Sequence, residues 1–111
     1  MKFDIKKRGQ DKIVFTADTN SFKDCVVLAV KRKVDLSYTD LRFADLQGAD
    51  LQGADFYHVN FQGANLRGCN LDRADMTNVY LEGADLRDTS LIGTILRHAL
   101  IFDCTQLTIH V

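Results

Sequence analysis

Between Val34 and Asp103 the large apolar residues of this chain recur at every fifth position. The third place of each five-residue unit holds Leu36, Leu41, Leu46, Leu51, Phe56, Phe61, Leu66, Leu71, Met76, Leu81, Leu86, Leu91, Leu96 or Ile101. The first place is small or β-branched, from Val34 and Ala44 through Cys69 to Ala99. The second is Asp or Asn in ten of fourteen units, and six of the seven glycines fall on the fifth.

That spacing excludes the ordinary elements. On an α-helix, at about 100° per residue, a step of five rotates a side chain by about 140° and scatters the leucines around every face. In a flat strand the side-chain period is two, so an odd repeat sends successive leucines to opposite faces. A chain that turns a corner once per unit satisfies the pattern. First and third places then always face a central axis, and a glycine or another tolerant residue makes the corner. The periodicity predicts a solenoid with a core of stacked leucine and phenylalanine layers.

Units such as ADLQG, ANLRG and ADLRD resemble the A-(D/N)-L-x-x signature of the pentapeptide-repeat family, and the run of units covers 70 of 111 residues. The resemblance implies a mainly β fold, a right-handed quadrilateral β-helix with four units per coil, so that residues twenty apart lie above one another. Fourteen units then make about three and a half coils, a stack about 17 Å tall at about 4.8 Å per coil.

Residues 1–33 read as a cap on this solenoid (34–103), and 104–111 as a closing tail, all within a single compact domain. Apolar and polar residues alternate on either side of Arg8, Gly9, Gln10 and Asp11, a hairpin signal that puts Phe3, Ile5, Ile13, Phe15 and Ala17 on one face. After an Asn20 or Ser21 cap, Phe22, Cys25, Val26, Ala29 and Val30 follow helical spacing to an end near Lys33. Hairpin and helix are expected to cover the first coil, whose open end would expose unpaired backbone and leucine. At the far end, places that should face solvent turn apolar at Ile92, Ile95, Leu100 and Phe102, followed by the alternating Leu107, Ile109 and Val111. Two covers are expected there: the tail folded back as a strand, or a second copy meeting end to end as a homodimer.

The net charge of −1 conceals a division, because residues 1–33 carry +5 and residues 34–103 carry −6. The basic cap, with Lys6, Lys7, Arg8 and Lys12 clustered, reads first as solvated structure and second as a nucleic-acid contact. No apolar run is long enough to cross a bilayer, and MKFDIKKRG lacks the apolar stretch of a signal peptide, so a cytoplasmic location with no membrane partner is expected. Cys25, Cys69 and Cys104 form no C-x-x-C pair and sit on inward or apolar positions, which marks buried thiols. His58 and His98 share a fifth-place column two coils apart, about 10 Å, too far to share a metal. Neither cofactor nor metal is expected. With no nucleophile motif and no Gly-rich phosphate loop, the chain reads as a binding protein and not as an enzyme.

The surface carries the functional expectation. In the four-unit coil that the resemblance implies, second places face outward and Asp35, Asp55 and Asp75 form one column, while Asp40, Asp45, Asp50, Asp85 and Glu82 extend the acidic surface on neighbouring faces. Part of this Asp and Asn content serves backbone groups at corners, as it does in turns generally. The family resemblance implies DNA mimicry, since similar members inhibit DNA gyrase in that way. A stack of about 17 Å imitates only about five base pairs. That suits a target reading a short duplex element, such as a CRISPR effector inspecting a protospacer-adjacent motif. The expected partner is a basic DNA-binding protein or complex of a bacterial host, blocked by an anti-CRISPR or other anti-defence product of a phage or mobile element that itself binds no nucleic acid. A gyrase-directed or topoisomerase-directed mimic is one alternative. A scaffold or assembly module binding through its apolar C-terminal end is the other.

Overall fold

The structure, a computed structural model, describes residues 1–101. Its solenoid closes every twenty residues: parallel bridges join Asp40 to Asn60, Asp45 to Asn65, Asp50 to Asn70 and Asp55 to Asp75, and the ladder continues to Tyr80 and Leu100. Each bridge is a pair of amide-to-carbonyl hydrogen bonds along the axis, as where Leu41 N donates to Asn60 O at 2.9 Å and Asn60 N donates to Thr39 O at 3.1 Å. Twenty residues at five per unit give four sides to a coil. The bridged residue is the second of its unit, so its side chain points outward between two inward neighbours.

The corners follow from the same period. The first-place amide of each unit reaches back to the third-place carbonyl of the unit before, as from Ala49 N to Leu46 O at 2.9 Å. Every fifth place from Tyr38 to His98 has φ between 58° and 74°, the requirement of a type II turn at its second central residue. Glycine meets it without strain, but Tyr38, Phe43, His58, Arg73, Asn78, Asp88 and His98 adopt it too, each at a cost on the order of 1 kcal/mol. Stacking enforces the conformation: His58 N is bonded to Thr77 O in the next coil at 2.9 Å, as Gly48 N is to Arg67 O at 2.8 Å.

Third-place residues from Leu36 to Leu86 are at most 2 % exposed, and Phe56 and Phe61 meet edge to face at 5.1 Å. The inward rule weakens at the end of the described chain, where Leu96 is 37 % and Ile101 54 % exposed. Among the described residues these two are covered from one side only.

Ahead of the coils, β1 (Lys2–Lys6) and β2 (Ile13–Asp18) form an antiparallel hairpin, followed by α1 (Phe22–Lys31). The expected common face needs one correction. A bulge opposite Ile5 and Lys6 pairs Lys6 with Ile13, which turns Ile13 out to 49 % exposure and leaves Val14 packed on the core instead. Ser21, one of the two expected caps, accepts from Asp24 N at 3.1 Å and starts α1. The helix ends in a Schellman motif: Val34 N reaches Ala29 O and Lys33 N reaches Val30 O, each at 3.0 Å. Lys33, at φ 59°, thus closes the helix and supplies the corner preceding the first repeat. Ile5, Cys25, Val26 and Ala29 are fully buried in one cluster with Leu36. The hairpin loop is laced to the first coil by Lys7 pairing with Thr39, Arg8 N donating to Tyr38 O and Asp40 N donating to Lys6 O.

Candidate functional site

Outward second places define the surface, and there one carboxylate oxygen has a local task. Asp or Asn at this place accepts from the amide two residues on, as Asp35 does from Ser37 N (2.9 Å), Asp45 from Gln47 N (3.2 Å), Asp50 from Gln52 N (3.3 Å) and Asp75 from Thr77 N (3.0 Å). This explains the Asp and Asn frequency, because the corner amide would otherwise lack a partner. Ser90 breaks the rule and shows its force. Asp72, from the coil before, takes over the missing role, accepting from Ile92 N at 2.9 Å and from the Ser90 hydroxyl at 2.5 Å.

The eight acidic residues lie on more than one side of the coil. Because second places five apart lie on successive sides, Asp40, Asp45, Asp50 and Asp55 are dealt one to each side of the coil. Two of the eight are also neutralised: Arg42 grips Asp40 through two bonds of 2.9 and 2.8 Å, and Arg87 reaches the Asp85 carboxylate at 2.7 Å. Glu82 is half-buried on the side of Asp40. A genuine column remains in Asp35, Asp55 and Asp75, with Asp55 bridged to Asp75 and the Ser37 hydroxyl donating to Asp55 at 3.2 Å. No ion pair engages these three, or Asp45 and Asp50, among the described residues. Within the column the first two acids diverge. The Ser37 hydroxyl and amide hold Asp35 below the ordinary carboxylate range, whereas burial, and then the Asp35 charge, push Asp55 above it.

The column ends on Ile95, bridged to Asp75. Ile92, Ile95 and Leu100 are 46 %, 48 % and 38 % exposed; Phe102 and the tail expected to cover them lie outside the described residues. A small apolar cleft of about 70 Å³ opens there between Leu86, Leu91, Leu96 and Ile101.

Sequence reasoning passed over the three tyrosines, yet all of them gather at one corner beside the acidic column. Tyr38 stacks on His58 at 4.8 Å and 13°, Tyr57 meets both edge-on at 5.8 and 4.2 Å, and Asn78 Nδ2 lies 3.0 Å from His58 Nε2. His58 is therefore part of an aromatic ladder, half-buried between Tyr38, Tyr57 and Asn78. Arg8 reaches down from the hairpin loop, donating to His58 O at 3.0 Å and to the Tyr80 hydroxyl at 3.3 Å, with its guanidinium 4.5 Å from the Tyr80 ring. Lys7 donates to Ser37 O at 3.0 Å and lies 5.4 Å from the Tyr38 ring. Two members of the basic cluster are thus engaged within the protein. Writing the sequence in rows of twenty would have revealed this corner. Tyr38 and His58 then share a column, and Tyr80 stands out as an aromatic in an Asp or Asn place.

Cys25 and Cys69 are buried free thiols; burial pushes Cys69 up to about 11. Among the described residues no His, Cys, Asp and Glu group has an arrangement that could hold a metal, and no helix is long and apolar enough to cross a membrane.

A four-sided solenoid with regular outward columns defines the class. The profile described as pentapeptide repeats matches residues 35–73 and 74–108 in eight copies, two thirds of the chain. The chain belongs to the pentapeptide-repeat family, whose fold is the right-handed quadrilateral β-helix. Among solved structures, a pentapeptide repeat protein from Nostoc Pcc 7120 is similar at 40 % identity and a TM-score of 0.58, over 59 % of this chain and 54 % of that one. A pentapeptide repeat protein from the cyanobacterium Cyanothece 51142 is similar at 34 % identity and 0.53, over 55 % and 42 %. One from the Arabidopsis thaliana thylakoid lumen shares the fold at 24 % identity and 0.58, over 65 % and 52 %. The chain spans about half the length of these relatives or less. Comparison with curated proteins returned no match.

Proposed function

We propose that this protein is a non-enzymatic binding module of the cytoplasm that presents the Asp35, Asp55 and Asp75 column to a basic, DNA-binding surface of another protein, in the manner of a DNA mimic. The observation that carries the reading is the absence, among the described residues, of any ion pair to these three carboxylates, while Asp40 and Asp85 on other sides are gripped by arginine. Asp45 and Asp50 also lack an ion pair, but only this side of the solenoid aligns three acids at its second places. Read as about three and a half coils capped by the hairpin and helix, the stack offers a rigid row of charges about 4.8 Å apart. Rigidity favours binding because little side-chain and backbone freedom is lost on contact. A target that reads a short duplex element, such as a bacterial defence complex, fits so short a row better than the long DNA saddle of a topoisomerase.

The test compares wild type with the triple Asp→Asn variant at 35, 55 and 75, which keeps the corner acceptors while removing three charges. Immobilised wild type should retain basic DNA-binding proteins from a bacterial lysate at low salt, lose them to competing duplex DNA, and retain far less as the variant. Retention unchanged by the variant and indifferent to DNA would refute the reading. A second reading rests on the exposed Ile92, Ile95, Leu100 and Ile101. An apolar end used as a scaffold or homodimer contact gives association that barely responds to salt.

A further inference from the structure

The hairpin that caps the solenoid has one edge left unused among the described residues. Its sheet has only two strands, and the far end of β1 is closed off where Asp40 N donates to Lys6 O and Lys7 pairs with Thr39 of the first coil. Thr19 N donates to Met1 O at 3.0 Å, so Met1 with Thr19 and, alternating from there, Phe3 with Ala17 and Ile5 with Phe15 are the hydrogen-bonded pairs. The backbone groups of Phe15 and Ala17 therefore point at β1, and those of Val14, Thr16 and Asp18 point away from it. No third strand pairs with them among the described residues. Such an edge is a template for another strand unless it is blunted. Here the blunting is partial. The bulge distorts the edge at Ile13, but from Val14 to Asp18 there is neither proline nor lysine, and no cation of the otherwise basic cap lies between Ile13 and Phe22.

We propose that β2 is a self-pairing edge: two copies of this chain join their β2 strands antiparallel about a two-fold axis between their Phe15 residues, making one four-stranded sheet across the dimer. The inference is independent of the acidic-column reading and uses a different surface from the apolar end. Charge at the two ends of the strand selects a second copy as the occupant. Pairing centred on Phe15 sets Val14 against Thr16 of the other copy, both with outward backbone groups, so the junction holds roughly four backbone hydrogen bonds. The same register brings Lys12 opposite Asp18 of the other copy, and symmetry repeats the contact. Both residues are exposed, and the one ion pair of Asp18 among the described residues is to the N-terminal amine at 2.6 Å, with each side 82 % exposed. On the inner face Phe15, half-buried against the core, meets its own counterpart as an aromatic cross-strand pair. Sliding the strands by two residues sets Thr16 against Thr16 and Val14 against Asp18, which forfeits both ion pairs, so the register is specified as well.

The experiment uses the full chain and two charge reversals, Lys12→Asp and Asp18→Lys, followed by sedimentation. Wild type should pass reversibly from one chain to two as its concentration rises. Each single variant sets like charges against each other at both ends of the junction and should weaken self-association roughly 10-fold. An equimolar mixture of the two single variants should recover it, because every facing pair is then of opposite sign, and the double variant should recover it alone. Recovery on mixing also shows that neither variant has lost its fold. Hydrogen exchange reads the backbone: the Val14 and Thr16 amides should gain protection with concentration, while those of Phe15 and Ala17, turned toward β1, stay protected throughout. A wild type that remains a monomer up to about 1 mM would overturn the proposal. So would a dimer that is indifferent to both reversals and leaves the Val14 and Thr16 amides unprotected, a result that assigns association to the apolar end instead.

Discussion

Replacing Phe61 by alanine tests the five-residue register directly. The ring is fully buried at a third place and meets Phe56 edge to face at 5.1 Å. Its backbone cannot shift to fill the space, because Phe61 N is tied to Tyr80 O at 2.8 Å and the corner behind it closes from Ala64 N to Phe61 O at 2.9 Å. With collapse blocked, the loss should fall in the upper part of the range of about 3–5 kcal/mol for such truncations. For a domain of this size that corresponds to a drop in Tm on the order of 15–30 °C. Gln62, the next residue, is exposed, and Gln62→Ala should stay within about 0.5 kcal/mol of wild type. Thermal and urea unfolding followed by circular dichroism measure both. Equal midpoints for the two variants would refute the assignment of third places to the core and fourth places to solvent.

Two further outcomes follow from ionisable groups. Cys69 donates to Leu46 O at 2.9 Å and burial pushes it up to about 11, so in a Cys104→Ser protein neither Cys69 nor the buried Cys25 should react with a thiol reagent at pH 8 until denaturant is added; rapid labelling of the native protein would contradict this. The Arg42 guanidinium holds Asp40 below its ordinary carboxylate value of 3.8, so the pair's contribution is present above that pH and is lost as pH falls through the lowered folded value. Removing the partner as Arg42→Met should destabilise the protein near pH 6 and matter progressively less below pH 4, and an equal penalty at both ends of a pH series of urea melts would count against the ion pair.

Much of the fold was legible because the repeat is a local rule. Leu36 to Leu86 had to be buried together, neither a helix nor a flat strand could do it, and Gly48 or Gly83 announced the corners. Helix α1 was equally plain from its apolar spacing and its serine cap. The hairpin was less so: its bulge exchanged Val14 for Ile13, a one-residue slip that alternation alone does not reveal. The exposure of Leu96 and Ile101 was also hidden, since a third place is buried only when layers lie on both sides of it.

The candidate site divides along the same line. Sequence alone determined that Asp and Asn recur at an outward place, that the repeats are acidic, and that the end near Leu100 is apolar. Tertiary structure decided which of those charges act together. It gave Asp40 and Asp85 to arginines, left Asp35, Asp55 and Asp75 without an ion pair among the described residues, and brought three tyrosines and Arg8 from four separate stretches of chain to the edge of their column. The physical reason is the twenty-residue coil. A five-residue period fixes whether a side chain points in or out and, with four units to a coil, which residues share a column, but rotamers, ion pairs and contacts around a corner are chosen only when the coils stack and the hairpin loop packs against them.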